Sequence, residues 1–427
     1  MSIVPVVLRG PLVARDSTEH HRVATPLELL FDLVFVVAIA SNAAQLHHGL
    51  SAAHLDTVLG YTLTWFAIWW AWMNYTWFAS AYDNDDVGFR LLTFVIMTGA
   101  LFLAAGVPDI FQDGQSVTVV VGYAIMRFGM VGLWLRAAGG HPERRRTALW
   151  YAAGIAVVQV LWIARLAIPA GSGWLLASFL ALVAAELAVP LLAEARHGTT
   201  PFHPHHIAER YGLLTIIVLG EVILSAVQAI QGAMAGPPAE PASGGSGGHT
   251  APYAAPPAAS GLSWSMAPLV VGGLLIVFAL WWVYFSRDHG SIVEDPRSVW
   301  LFGYGHLPIF ASTAAVGAAL AAAVDVVQGT ADAGPRLVAL ALAVAISVVA
   351  LTVSGLHALG PTGTVATMVP AAVVSVLCLG VALLVPRMGV AVLLMGLTLA
   401  GLVAQRVWAA GRSLPASPGR AAGEAGA

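Results

Sequence analysis

Apolar residues fill the chain in long blocks, separated by short polar or Pro/Gly-containing breaks, and this rhythm predicts a bundle of membrane-spanning helices. Blocks of about 20 residues match the roughly 30 Å hydrocarbon core of a bilayer. The apolar windows predict twelve helices, over 27–46, 55–80, 89–110, 116–137, 147–168, 173–193, 207–232, 264–285, 300–324, 336–357, 364–385 and 388–408. The expected fold class is therefore all-α and polytopic. Residues 1–26 form an N-terminal segment whose own apolar stretch, Ile3 to Leu8, is too short for a signal-peptide core. Residues 235–262 are rich in Gly, Pro, Ser and Ala and read as a flexible external loop, and 412–427 read as a disordered tail.

Composition strengthens this picture. Of 427 residues, 58% are hydrophobic and 10% charged, with a mean hydropathy of +0.81. A soluble domain carries about 25% charged residues. The net charge of −3 and the absence of a basic domain exclude nucleic acid as a partner. The single Cys378 sits in an apolar run, which leaves no disulfide framework and no cysteine metal site.

All 19 basic residues are Arg, and their placement predicts orientation. With a cytoplasmic N-terminus, fifteen Arg fall inside and three (Arg165, Arg336 and Arg387) outside, while Arg127 lies within the bilayer. The positive-inside rule then puts both termini in the cytoplasm of a bacterial plasma membrane.

The two halves also look alike. Glu28 and the apolar run to Gln45 parallel Glu209 and the run to Gln228. Trp69-Trp70 before the acidic Asp83, Asp85 and Asp86 parallels Trp281-Trp282 before Arg287-Asp288 and Glu294-Asp295. These matches predict two parallel six-helix repeats, 27–196 and 197–411, with function expected at their interface.

Several segments together resemble the bacterial low temperature requirement protein A (LtrA) family. They are ELLFDLVFVVAI at 28–39, DNDD at 83–86, HIAERYGLLTIIVLGE at 206–221, ALWWVYF at 279–285 and YGHLP at 304–308. Their order and spacing cover nearly all of 27–325. The resemblance implies a multi-pass membrane protein linked to growth at low temperature, with no established biochemical activity. Val222 stands where the family commonly has a small hydroxyl residue, and Ser286 where it commonly has Asp.

Charge within the bilayer demands a partner or a water-filled cavity. In the first predicted helix Glu28 and Asp32 share one face, with Arg90 and Arg210 available as partners. Their spacing fits either a cation- or proton-attracting mouth or pairing at headgroup level. In the seventh, Arg210 and Glu221 share a stripe, and Glu221 lies about 18 Å along the axis from Glu209. The simplest expectation pairs Glu221 with Arg127 at similar depth, with Asp32 or Glu186 as competing partners. Such a pair fits either a gated site or a purely structural contact. His306 has the chemistry to titrate near neutrality or to serve as a helix-end hydrogen bonder.

His197, His203, His205, His206 and Glu209 invite a metal reading, but Pro201 and Pro204 break the tract. A solvated juxtamembrane loop is the preferred reading, so no metal or other cofactor is expected. The second predicted helix is dense in Trp (Trp65, Trp69, Trp70, Trp72 and Trp77); Trp77 fits an interfacial belt, and Trp65, Trp69 and Trp72 make a stripe for core packing or for an aromatic pocket. Ala311 to Ala323, with Gly317 and Ala321, reads as a tight helix contact.

The leading expectation is transport or permeation of an ion, proton or small solute. The site would hold Glu28, Asp32, Arg127, Glu209, Arg210, Glu221 and His306, none of them assigned a catalytic role. A membrane-embedded enzyme using intramembrane carboxylates and a non-catalytic stress-related protein are the alternatives.

Overall fold

A computed structural model describes residues 10–16, 22–169, 171–235, 266–295, 298–361 and 363–413. These form α1 (Pro26–Ser51), α2 (Thr57–Tyr82), α3 (Val87–Asp113), α4 (Val117–Gly140), α5 (Arg145–Ala164), α6 (Trp174–His197) and α7 (Pro204–Ala235). They continue with α8 (Ala267–Phe285), α9 (Gly290–Glu294), α10 (Val299–Gln328), α11 (Pro335–Leu359), α12 (Val369–Leu384) and α13 (Met388–Ser413). Among the described residues, eleven segments are long and apolar enough to cross a membrane. The remaining long helix is α2, whose hydropathy falls with its Trp, Tyr and Thr content although it too has 26 residues. The protein is an all-α, multi-pass membrane protein. Most of the loop expected at 235–262 and nearly all of the tail expected at 412–427 lie outside the described residues.

Helix starts follow local chemistry. Thr25 and Glu28 form a capping box on α1, each side chain bonding the other's backbone N–H, with Pro26 in the first turn. Asp86 caps α3 through the Phe89 N–H, so one member of the DNDD segment serves as a helix N-cap.

Two faces of the bundle are fixed by contacts between helix ends. On the face carrying the start of α1, here the near face, His205 at the start of α7 meets Glu294 of α9 at 3.2 Å. On the far face, His47 and Ser51 of α1 both meet Oδ2 of Asp325 in α10 at 2.7 Å.

The core centres on α10, which packs against α1, α7 and α11. Its small-residue run makes this close approach feasible: a Cβ on Gly317 would sit 3.1 Å from the Val222 Cα of α7. Apolar side chains dominate the outer surface, as a lipid-facing surface requires, with Phe128, Leu384 and Val376 among the most exposed.

Candidate functional site

Three groups of polar side chains lie within the bundle, and α2 reaches two of them. In the first, Glu28 and Asp32 are one turn apart on α1 and face Arg210 of α7. Arg210 Nη1 lies 2.8 Å from Glu28 Oε1, and its Nη2 donates to Asp32 Oδ1. Trp72 Nε1 donates to the same Asp32 oxygen at 2.7 Å, and His206 Nε2 lies 3.2 Å from Glu28. All four ionisable side chains are fully buried. The expected carboxylate pair therefore forms, with Arg210 as its partner. Arg90 instead pairs with Asp85 of the α2–α3 loop at 2.6 Å.

The second group is a correction. Arg127 of α4 does not meet Glu221; it pairs with Glu186 of α6 at 3.2 Å. Glu186 also accepts from Trp70 Nε1 at 2.9 Å, Tyr123 OH at 3.2 Å and Trp162 Nε1 at 3.2 Å. Arg127 additionally donates to Tyr123 and lies over its ring. Glu221 is half-buried, and its carboxylate accepts from Ser225 at 3.0 Å one turn along its own helix. The pairing failed because depth fixes only one coordinate: α6 presents an acid beside α4, and α7 turns Glu221 elsewhere.

In the third group His306 is fully buried in α10. Its Nδ1 lies 2.7 Å from the Phe302 carbonyl, which only accepts, so Nδ1 carries the proton. Nε2 then accepts from Tyr284 OH at 2.8 Å. Glu209 is half-buried; its carboxylate meets the Ala24 backbone and lies within electrostatic reach of Glu28 and Arg210 without an ion pair to Arg210.

The histidine tract also departs from expectation. His203 and His206 are buried rather than solvated, because α7 begins at Pro204 and turns His206 onto Glu28. His205 alone is plainly exposed. No group of three or more metal-ligating side chains occurs among the described residues.

A cavity of about 370 Å³ lies between α2, α4, α5, α6 and α10, and of the Trp-dense helix it takes Trp70 and Trp77 but none of Trp65, Trp69 and Trp72. Trp70, Trp77, Trp134, Tyr151, Trp300 and Tyr304 wall it, and Glu194 supplies its carboxylate. Glu194 Oε1 accepts from Tyr151 OH at 2.9 Å and Thr200 Oγ1 at 3.0 Å. No ion pair holds Glu194 among the described residues, although Arg144 stands nearby, bonded to the His197 carbonyl. Thr199, Pro204 and Glu294 place the mouth of the cavity on the near face.

A second cavity of about 700 Å³ continues along the same helices toward the far face. Tyr61, Trp65 and Phe66 of α2, Phe179 and Val183 of α6, and Leu307 and Ala311 of α10 line it, with almost no polar surface. From Phe66 to Trp70 on α2 is one helical turn, about 6 Å. Between the cavities Trp70 stacks on Phe66 at 5.9 Å, and Tyr304 lies 5.9 Å from Trp69 and 6.1 Å from Trp70. Neither cavity is lined by Glu28, Asp32, Arg127, Arg210 or Glu186.

The model of the bacterial low temperature requirement A protein (LtrA) family matches residues 23–404, nearly the whole chain. The chain belongs to the LtrA family. A relative in Rhizobium meliloti (strain 1021), described as uncharacterized protein RA0937, is 27% identical over 315 residues. The match covers 69% of this chain and 68% of that protein. No solved structure matches the chain. Within this LtrA family member, the family-like YGHLP segment supplies Tyr304 to the aromatic cavity and His306 to the core. Glu194 and Tyr151 lie outside the segments that carried the resemblance. Glu194 stands near the end of α6, and nothing in its local spacing links it to the distant aromatic residues.

Proposed function

We propose that this LtrA family member carries a small organic cation across the membrane along the seam between α2, α6 and α10. The observation behind the reading is the succession of two cavities on one set of helices, divided by about one turn of aromatic side chains. A barrier that thin is crossed by rotamer changes at Trp69, Trp70 and Tyr304; turning Trp70 gives up its hydrogen bond to Glu186 but leaves the Arg127–Glu186 pair in place. The near cavity fits a cation. Aromatic faces attract ammonium groups by several tenths to about 2 kcal/mol each, and Glu194 adds a carboxylate without an ion-pair partner among the described residues.

The deep charges take a different role in this reading. Arg210 with Glu28 and Asp32, and Arg127 with Glu186, hold helices together and lie off the path. The near face is assigned to the cytoplasm on the excess of Arg there, and the plasma membrane is the proposed location.

Uptake of tetraethylammonium into proteoliposomes tests the reading. Saturable uptake is expected with the native chain, falling about tenfold in Glu194→Gln, the scale of one hydrogen bond to a charged group. Glu221→Gln should retain uptake. Absence of uptake by the native chain, or full uptake by Glu194→Gln, overturns the proposal.

A further inference from the structure

Away from the seam, a cavity of about 790 Å³ opens on the near face where α8, α11 and α13 end. Two guanidinium groups, Arg287 and Arg406, line it, and neither has a carboxylate within ion-pair distance among the described residues. Arg406 is held in place by neutral acceptors. Its Nη1 donates to the Val283 carbonyl and to Ser286 Oγ, each at 2.9 Å, and its Nη2 to Ser354 Oγ at 2.8 Å. Arg287 is exposed and makes one long contact, 3.3 Å, to the His357 carbonyl. Among the described residues that line the cavity the acid is Asp288, whose Oδ1 accepts from the Gly290 N–H at the start of α9.

A second observation marks the same place. His357 lines the cavity, is only 2% exposed, and its Nε2 has no hydrogen-bond partner. Its Nδ1 lies 3.3 Å from Arg406 Nη1, a donor, so in the neutral ring the proton sits on Nε2. A buried N–H left without a partner is unfavourable and calls for an acceptor. Two uncompensated cations and a spare donor thus converge on one space, with Thr364 and Thr367 also on its wall. On its outer side Trp282 and Val407 are 47% and 50% exposed, which places the cavity against lipid at a helix end.

We propose that this cavity binds a phosphate group, with Arg287 and Arg406 clamping its oxygens and His357 Nε2 donating a further hydrogen bond. The phosphate comes either from an anionic phospholipid headgroup or from free phosphate in solution. Planar guanidinium groups match phosphate oxygens in pairs, and basic pockets between membrane helices suit anionic headgroups. The proposal is independent of the transport path, because no residue of this cavity lines the aromatic one.

The test is thermal unfolding of the purified full chain in detergent, titrated separately with phosphatidylglycerol, phosphatidylcholine and inorganic phosphate. Phosphatidylglycerol should raise Tm in a saturable way and phosphatidylcholine should do so far less, since its choline group meets the two Arg. Arg287→Gln should weaken that response about tenfold, as for one lost charge-assisted hydrogen bond. This exposed side chain makes one weak contact, so folding should persist, and Arg406→Gln then serves as the second variant. A phosphate response as large as the lipid response, equally lost in Arg287→Gln, supports the site and assigns it to free phosphate. No shift with any of the three, or an undiminished shift in Arg287→Gln, overturns the proposal.

Discussion

The α2–α6 seam and the α8–α13 seam each start from a helix that carries a Trp-Trp pair, yet they are built in opposite ways. At α8–α13 the helices touch through backbone. A Cβ on Gly272 would lie 2.5 Å from the Leu393 N, and one on Gly396 would lie 2.7 Å from the Gly272 carbonyl oxygen. At α2–α6 bulky rings stand between the helices and enclose two cavities. The matched Trp pairs make the same point. Trp69 and Trp70 are 2% and 1% exposed, whereas Trp281 and Trp282 are 46% and 47% exposed and face outward. Small residues shut one seam by van der Waals packing. Large amphipathic residues keep the other open and give it polar tips for Glu186 and Tyr211 to meet. The difference teaches that a similar local sequence yields a wall or a site according to which face of the helix is turned inward.

The strongest way to break this comparison is to attack the pair that anchors the open seam. Arg127→Ala or Glu186→Ala leaves an uncompensated buried charge, with an expected cost of about 3 to 5 kcal/mol. The double substitution removes both charges and should recover much of that loss, measured as folded yield and Tm in detergent. Glu221→Ala should change Tm little by comparison. If Glu221→Ala matched Glu186→Ala in effect, the observed partner of Arg127 would be wrong.

The Trp pairs provide the next test. Trp70→Ala removes a buried indole and one of the donors to Glu186, at an expected cost of about 3 to 5 kcal/mol at the lower end. Trp282→Ala removes a lipid-facing ring and should fall within about 0.5 kcal/mol of native. Equal destabilisation of the two variants in the same Tm assay would erase the distinction between the seams.

The closed seam is sharpened by two adjacent glycines on α8. Gly272→Ala drives a methyl group into the backbone of α13, which no side-chain rotation relieves, so a loss of about 1 to 3 kcal/mol is expected. At Gly273 the nearest atoms are Leu320 methyl carbons at 3.8 Å, and Gly273→Ala should be neutral or slightly stabilising. Parallel thermal melts decide the matter, and equal losses at both positions would remove the argument for contact through Gly272.

Against these seams, what the sequence made legible has a clear limit. Hydropathy found the helices because the bilayer constrains each one separately, and the apolar window at 55–80 found α2 as well despite its Trp, Tyr and Thr content. Periodicity put Glu28 and Asp32 on one face because that relation lies within a single helix. Arg210 was legible as a partner since charge at that depth admits few choices. The Arg127 partner was not legible, because Glu186 and Glu221 satisfy the same depth requirement and only helix adjacency separates them. The aromatic cavity was less legible still. Trp70, Trp134, Tyr151, Glu194 and Tyr304 come from five helices, and no spacing rule links them. His206 was misread because the helix start at Pro204 turned a loop-like tract inward.

The smallest expected effect concerns the acidic loops that follow the two Trp pairs. Asp288 is exposed, whereas Asp83 is 2% exposed at the end of α2. Burial, reinforced by the negative charge of Glu28, pushes the Asp83 carboxyl up from its ordinary 3.8 to about 6. The folded state therefore holds this proton more tightly than the unfolded chain does. Its contribution to stability is present below about pH 4 and is lost as pH rises through about 6. Each unit between the two values is worth about 1.4 kcal/mol. Asp83→Asn keeps an oxygen for the Asp85 N–H, which Asp83 Oδ1 accepts at 2.8 Å, and removes the titration. The native chain should therefore lose about 1 to 2 kcal/mol relative to Asp83→Asn between pH 4 and pH 6, and the gap should stay constant above that range. Melting both proteins across the range measures the gap. A native chain that gains on Asp83→Asn as pH rises would show the carboxylate to be stabilised by its surroundings, Arg22 among them, and not penalised by burial.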